Sequence, residues 1–343
     1  MALSQKTLDK MNVFMASTAP LMFKCITDRN AFINDLKDRC NDPTKIAQEE
    51  TNLCGPAAFM YCIAHEKPNE YAEYVLDLAS TGKAYLGNME VVPKPILSKP
   101  LSGDSVQTHQ TKDVFTSDID QISPVDWVAL AGLRDASNYL LRVSSTSDAA
   151  GITDGGTLAN WFKKTGWFKN VRDRSSNGGK MPMNNLLEIN GLPASYVCLL
   201  VKATIIIKPN DIDKDLLQNT PNHWVVLNSN PNYTGTNGCN GSNILVYDPN
   251  DPNQKNYCPA VFSGGNFDMT FNPVLVGNAG AEAKARYLDE RNNKYREIEK
   301  QELNIEVYTW GRDTYRQGAL FWPINITVET FLKGYFGFVS AAH

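Results

Sequence analysis

Residues 52–66 constrain the fold more than any other stretch of the chain. Asn52-Leu53-Cys54-Gly55-Pro56 leads into Ala57-Ala58-Phe59-Met60-Tyr61-Cys62-Ile63-Ala64, a run with no polar stripe. A helix that is apolar all round has no face for water, so the rest of the fold must enclose it. Proline is tolerated in the first turn, where its missing N–H leaves nothing unpaired. The segment predicts a central buried helix with Cys54 at its N-terminal end. A chain of 343 residues, 42% of them hydrophobic, can supply the layers that cover it.

Those layers read as helices first and strands later. Residues 1–47 look helical and charged. Asp28-Arg29-Asn30 before Ala31-Phe32-Ile33 predicts a capped helix to about Arg39, broken by Asn41-Asp42-Pro43. Residues 85–125 read as loop, with Pro93, Pro95 and Pro100 and room for an insertion. Residues 124–142 look helical, and Asp154-Gly155-Gly156-Thr157 caps an amphipathic helix that ends near Gly166. From Tyr196 the period changes. Tyr196–Ile207, His223–Leu227, Asn243–Tyr247 and Asn304–Trp310 read as strands, with helical stretches at 281–300 and Val328–Tyr335. The Asn- and Gly-rich stretch Asn228–Ser242 reads as the loop of a hairpin joining two of these strands. The order predicts an α+β fold rather than alternating βαβ units.

Several function classes fall away. A net charge of −4 argues against a nucleic-acid partner, which needs a concentrated basic surface. The basic residues Lys163, Lys164, Lys169, Arg172 and Arg174 read as a solvated helix edge and its loop. No stretch approaches the ~20 apolar residues that span a bilayer, so no integral membrane segment is expected. Met11–Phe23 is broken by Asn12, Ser17, Thr18 and Pro20, and reads as a helix start or partner-docking segment rather than an export signal. Seven cysteines without a C-x-x-C pair fit neither a disulfide framework nor a thiolate zinc site, and leave at least one free thiol. Asp248, Asn250 and Asp251 lack the spacing of a calcium loop. No metal and no cofactor are expected. The thiols favour folding in a reducing, cytoplasmic compartment.

A thiol becomes a hydrolase nucleophile when its pKa falls, a base lies within reach, and donors meet the developing oxyanion. A helix N-terminus favours a thiolate at Cys54, and Gly55 keeps bulk away from the sulfur. Of the four histidines, His65 lies eleven residues along the same helix, ~16 Å away. His109 falls in a polar loop and His343 at the chain end, which leaves His223 as base. If the strands containing His223 and Asp248 form an antiparallel hairpin, the start of one lies beside the end of the other. Asp248 would then orient the imidazole. Gln48, six residues before Cys54, can fold back and donate to an oxyanion beside the Cys54 N–H.

Taken together, Gln48-(five residues)-Cys54-Gly55-Pro56-Ala57-Ala58, His223-Trp224-Val225-Val226 and Val246-Tyr247-Asp248-Pro249 resemble the papain-like cysteine peptidases, and within them the C39-like group. The resemblance implies a papain-like fold in which the nucleophile helix packs on an antiparallel sheet. It also implies Gln48 as oxyanion donor, Cys54 as nucleophile, His223 as base and Asp248 as orienter. Residues 1–47 become a helical extension, and 48–343 a catalytic domain with an insertion around 85–150. The C-G-S-C-W string of papain itself is absent, as is the membrane exporter of C39 transporters. A free-standing enzyme of this kind resembles secreted bacterial effectors and toxins, which implies export without a signal peptide and an immunity or chaperone protein as partner. The expected reaction is acyl transfer from a protein or peptide substrate through a thioacyl intermediate. Two rivals stand beside it. One is a glutamine deamidase or transglutaminase-like toxin using the same triad, and the other is an inactive binding module on the same fold.

Overall fold

The computed structural model describes residues 3–48, 51–93, 122–137, 153–207, 221–228, 232–234, 244–248, 251–258, 302–310 and 320–342, with scattered residues between 289 and 300. The loop expected over 85–125 is corrected at its start, where Ala84–Leu86 and Met89–Val91 pair as a hairpin, and the rest of it falls largely outside the described residues, as do 138–142. The described residues between 289 and 299 are helical.

The chain begins with four helices. Helix α1 (Gln5–Ala16) buries Met11 and Phe14. Helix α2 (Arg29–Asn41) starts where Asp28 accepts from the Asn30 and Ala31 N–H groups, the expected cap. Helix α3 (Cys54–Glu66) is buried from Cys54 through Ala64, as its sequence demands, and α4 (Pro68–Thr81) packs beside it. A helical segment over 124–137, designated α5, contains a π turn at Trp127–Ala131. Helix α6 (Gly155–Thr165) is capped by Asp154 and stopped by Gly166, whose φ of 75° suits a residue without Cβ.

The strands are β1 (Ala84–Leu86), β2 (Met89–Val91), β3 (Lys169–Asp173), β4 (Ser195–Val201), β5 (His223–Leu227), β6 (Asn232–Thr234), β7 (Ile244–Asp248), β8 (Asp251–Cys258), β9 (Glu302–Thr309), β10 (Leu320–Thr327) and β11 (Tyr335–Ala342). Seven of them make one antiparallel sheet in the order β10-β9-β5-β4-β11-β3, with β6 also on β9. The fold is α+β.

Alternation along the strands sorts the core into two layers. Cys198, Leu200, Trp224, Val226, Trp310 and Val339 face the layer built from α1–α6. Tyr61 of α3 stacks 4.7 Å from Tyr308 and 5.7 Å from Trp310 on that side. Val197, Leu199, Val201, Val225, Ile305 and Val307 face the other layer, with the short helices Met183–Glu188 and Val328–Leu332. Residues 3–47 are helical as expected, and they share the first layer's core with α3 through Met11, Phe32, Ile33 and Leu36.

Three further readings are corrected. The run Tyr196–Ile207 leaves the sheet after Val201 and turns into a short helix, Ala203–Ile207. The helix expected over Val328–Tyr335 ends at Leu332, and Tyr335 opens β11. The strands carrying His223 and Asp248 do not form a hairpin. β5 pairs with β4 and β9, while β7 pairs with β8 in a separate two-stranded sheet. The loop between them also contributes β6 to β9, so it cannot act as a simple hairpin turn.

Candidate thiol site at the start of helix α3

Leu53 is the N-cap of α3 and offers no side-chain cap, so the first N–H groups remain available. The Cys54 sulfur lies close enough to them, and to the backbone N–H of Trp224, for these groups to favour its thiolate. The Trp224 N–H is free to do this because β9 is in register with β5 only at Val226 and Leu227. The helix start is therefore tied to the first residues of the central strand. Burial raises the thiol pKa above its ordinary value, and these N–H groups with the Arg134 guanidinium oppose that rise. The thiolate favoured by a helix terminus is outweighed by desolvation in this state.

Arg134, on α5, is a neighbour that sequence reasoning missed. Its guanidinium is buried, which lowers its pKa, while Asp154 and Cys54 work the other way. Burial raises the Asp154 carboxyl, but the Thr157 hydroxyl and N–H, its own N–H and Arg134 outweigh that and hold it low. Arg134 is eighty residues from Cys54 and no motif marks it.

Thr153 was also missed. Its carbonyl accepts the Trp224 indole N–H at 2.7 Å, and its side chain lies against Gly55. A Cβ on Gly55 would fall 2.4 Å from Thr153 Cβ and 2.5 Å from its Oγ1. The space beside Gly55 was expected to admit substrate. At Cα it is filled by Thr153, and the glycine is needed for that close approach.

Gln48 is buried, and its Oε1 has no hydrogen-bond partner among the described residues. It opens the turn into α3, where its carbonyl accepts from the Thr51 N–H at 3.0 Å and the Thr51 hydroxyl at 2.6 Å. The residue before it is pinned from behind. Asp126 takes the Ala47 N–H at 3.2 Å while holding Arg39 through two bonds of 2.7 and 2.6 Å.

His223 does not meet Cys54. Trp224 and Val226 face α3, so the alternating positions His223 and Val225 face the opposite layer. The His223 Nε2 shares a 2.7 Å hydrogen bond with Thr309 Oγ1, which alternation sets on that same side. Burial lowers the imidazole pKa to about 4, so the ring is neutral near pH 7. Asp248 ends β7, and its side chain lies outside the described residues. The structure thus joins Cys54 to the backbone beside His223 but not to its ring.

The other described thiols differ from Cys54. Burial pushes Cys25 and Cys40 up to about 12, and Cys62 is raised by burial and by its contact with Cys198. Among the described residues no cluster of His, Cys, Asp and Glu could hold a metal ion, and no helix is long and apolar enough to cross a membrane. Arg172 and Arg174 of the basic group lie 3.6 and 3.2 Å from Glu188. No family model, curated protein or solved structure matches the chain.

Proposed function

We propose that the chain is a cysteine hydrolase of papain-like architecture that attacks a protein or peptide carboxamide with Cys54. The observation that supports this most is the setting of the sulfur. It sits at the uncapped start of a buried helix, where the backbone N–H groups of Trp224 and Gly55 and the charge of Arg134 favour its thiolate. That combination offers donors and positive charge where negative charge develops during acyl transfer.

In this reading Cys54 loses its proton and its sulfur bonds to the carbonyl carbon. The oxyanion draws on Gln48 and the Cys54 N–H. The C–N bond breaks as the amine takes a proton, and water then cleaves the thioester, returning the thiol. His223 serves as the base, and for that its ring must leave Thr309 and turn toward α3. The start of β5 is the part of the strand off the β9 ladder, where such a turn costs the fewest backbone bonds. Asp248 is the proposed orienter. Chains of this type would act as exported bacterial effectors with an immunity or chaperone partner.

A second reading is favoured by the His223 geometry. With the ring on the far face and the thiol protonated, the same fold would serve as an inactive binding module. Iodoacetamide labelling of the native protein from pH 4 to 9, with site mapping in wild type and His223→Ala, separates the two. The hydrolase reading expects Cys54 to be labelled ahead of Cys25, Cys40, Cys62 and Cys198, and to slow in His223→Ala. Labelling of Cys54 no faster than those thiols, or insensitive to His223, would leave the binding module. Ammonia release from glutamine peptides without chain cleavage would point to the deamidase variant of the same chemistry.

A further inference from the structure

Thr153 is buried to 2% exposure and its Oγ1 has no hydrogen-bond partner among the described residues. An unsatisfied buried hydroxyl costs roughly 1–3 kcal/mol, so its persistence calls for a reason. Two other features of Thr153 adjoin the thiol site. Its carbonyl holds the indole of Trp224, whose backbone N–H favours the Cys54 thiolate. Its side chain fills the space at the Cα of Gly55, the residue after the nucleophile. The next residue, Asp154, caps α6 and acts on Arg134, which acts on Cys54. Among the described residues of this segment, the Thr153 hydroxyl is the buried side-chain oxygen without a partner.

We infer that Thr153 is a substrate contact of the Cys54 site, its hydroxyl donating to the carbonyl oxygen of the bound carboxamide. This rests on Cys54 being the nucleophile, and it adds a residue that the Cys–His–Asp–Gln set does not contain. A hydroxyl suits the task because its rotor can turn to whichever oxygen arrives, while the Thr153 backbone is fixed by the Trp224 bond. The free hydroxyl in the unliganded protein is then a group kept unsatisfied until substrate binds.

Two small alkylating agents test this on the full chain. Iodoacetamide carries a carboxamide, whereas iodomethane reacts with a thiolate by the same displacement of iodide and has no carbonyl. The ratio of the two rates at Cys54 cancels changes in the fraction of thiolate, and Thr153→Ser controls for changes in access. Thr153→Val keeps the shape and removes the hydroxyl, and it is expected to lower the iodoacetamide-to-iodomethane ratio roughly fivefold, the worth of one hydrogen bond. Thr153→Ser should restore it. Thr153→Val should also raise the melting temperature, because an unpaired buried hydroxyl is removed. An unchanged ratio in Thr153→Val, or a Ser variant that behaves like Val, overturns the assignment while leaving Cys54 as nucleophile. A wild-type Cys54 no faster than the other buried thiols with either reagent overturns the nucleophile, and this contact with it.

Discussion

The arginines buried on one face of the central sheet and the histidine buried on the other are handled in opposite ways. On the α3 face Arg39 and Arg134 come with partners. Arg39 is held by Asp126 through two hydrogen bonds, and the charge of Arg134 is supported by Asp154 and Cys54. On the far face His223 is buried against a hydroxyl alone and is held neutral. A buried charge needs compensation, whereas a group that can shed its charge does so instead. His223 and Trp224 are chain neighbours, yet alternation sends them to opposite environments with opposite electrostatics.

The largest expected effect breaks the paired side. Asp126→Ala takes the fully buried carboxylate from Arg39, leaving it the half-exposed Asp35 and the Ser123 hydroxyl, and releases the Ala47 N–H behind Gln48. The expected loss is about 3–5 kcal/mol, read as a fall in the urea midpoint. A loss below about 1 kcal/mol would mean that Asp35, which already pairs with Arg39, satisfies the guanidinium by itself, and that Asp126 is not what holds this face.

The next effect comes from the unpaired side. His223 titrates near 6.5 when unfolded and near 4 when folded. Below pH 6.5 the unfolded chain takes up a proton that the native chain refuses, so stability falls as the pH drops from 6.5 to 4 and this contribution then levels off. The full difference is about 3 kcal/mol. Urea unfolding at pH 7 and pH 4.5 should show a part of this that His223→Gln removes. Equal pH dependence in both proteins would mean that the ring is already protonated or solvated, and the contrast between the faces would go with it.

The smallest effect asks whether the faces can exchange His223. Thr309→Val removes the partner of Nε2 and should cost about 0.5–1.5 kcal/mol. It should also speed Cys54 alkylation, because the freed ring can turn toward the thiol. The stability loss without the faster alkylation would keep His223 on the far face and favour the binding module.

Much of the helical layer could be read from the sequence because its signals are local. Asp28, Asp154 and Gly166 cap their helices within a few residues, and the all-apolar run after Pro56 can only be a buried helix. The sheet was less legible. β5 takes its partners from 195–201 and 302–309, and nothing in His223–Leu227 names either. β11 is buried along its whole length, so it shows no alternation, and the helix pattern starting at Val328 was carried past its end. The same absence of alternation hid which face His223 would take, since β5 is buried from His223 to Val226. Cys54 and Gln48 stood out through one short motif. Arg134 and Thr153 were silent because each reaches the thiol only through tertiary packing.

The position of β11 sets the order in which this chain can be assembled. The strand lies between β4 and β3, and it is made more than a hundred residues after β4. Helices α1–α6 leave the ribosome long before the surface that covers them exists. The nascent chain must carry the apolar flank of α6 exposed until residues 335–342 arrive, which makes slow, chaperone-assisted folding the natural course for such a topology. Loss of those eight residues would remove an interior strand rather than trim an edge, splitting β3 from the rest of the sheet.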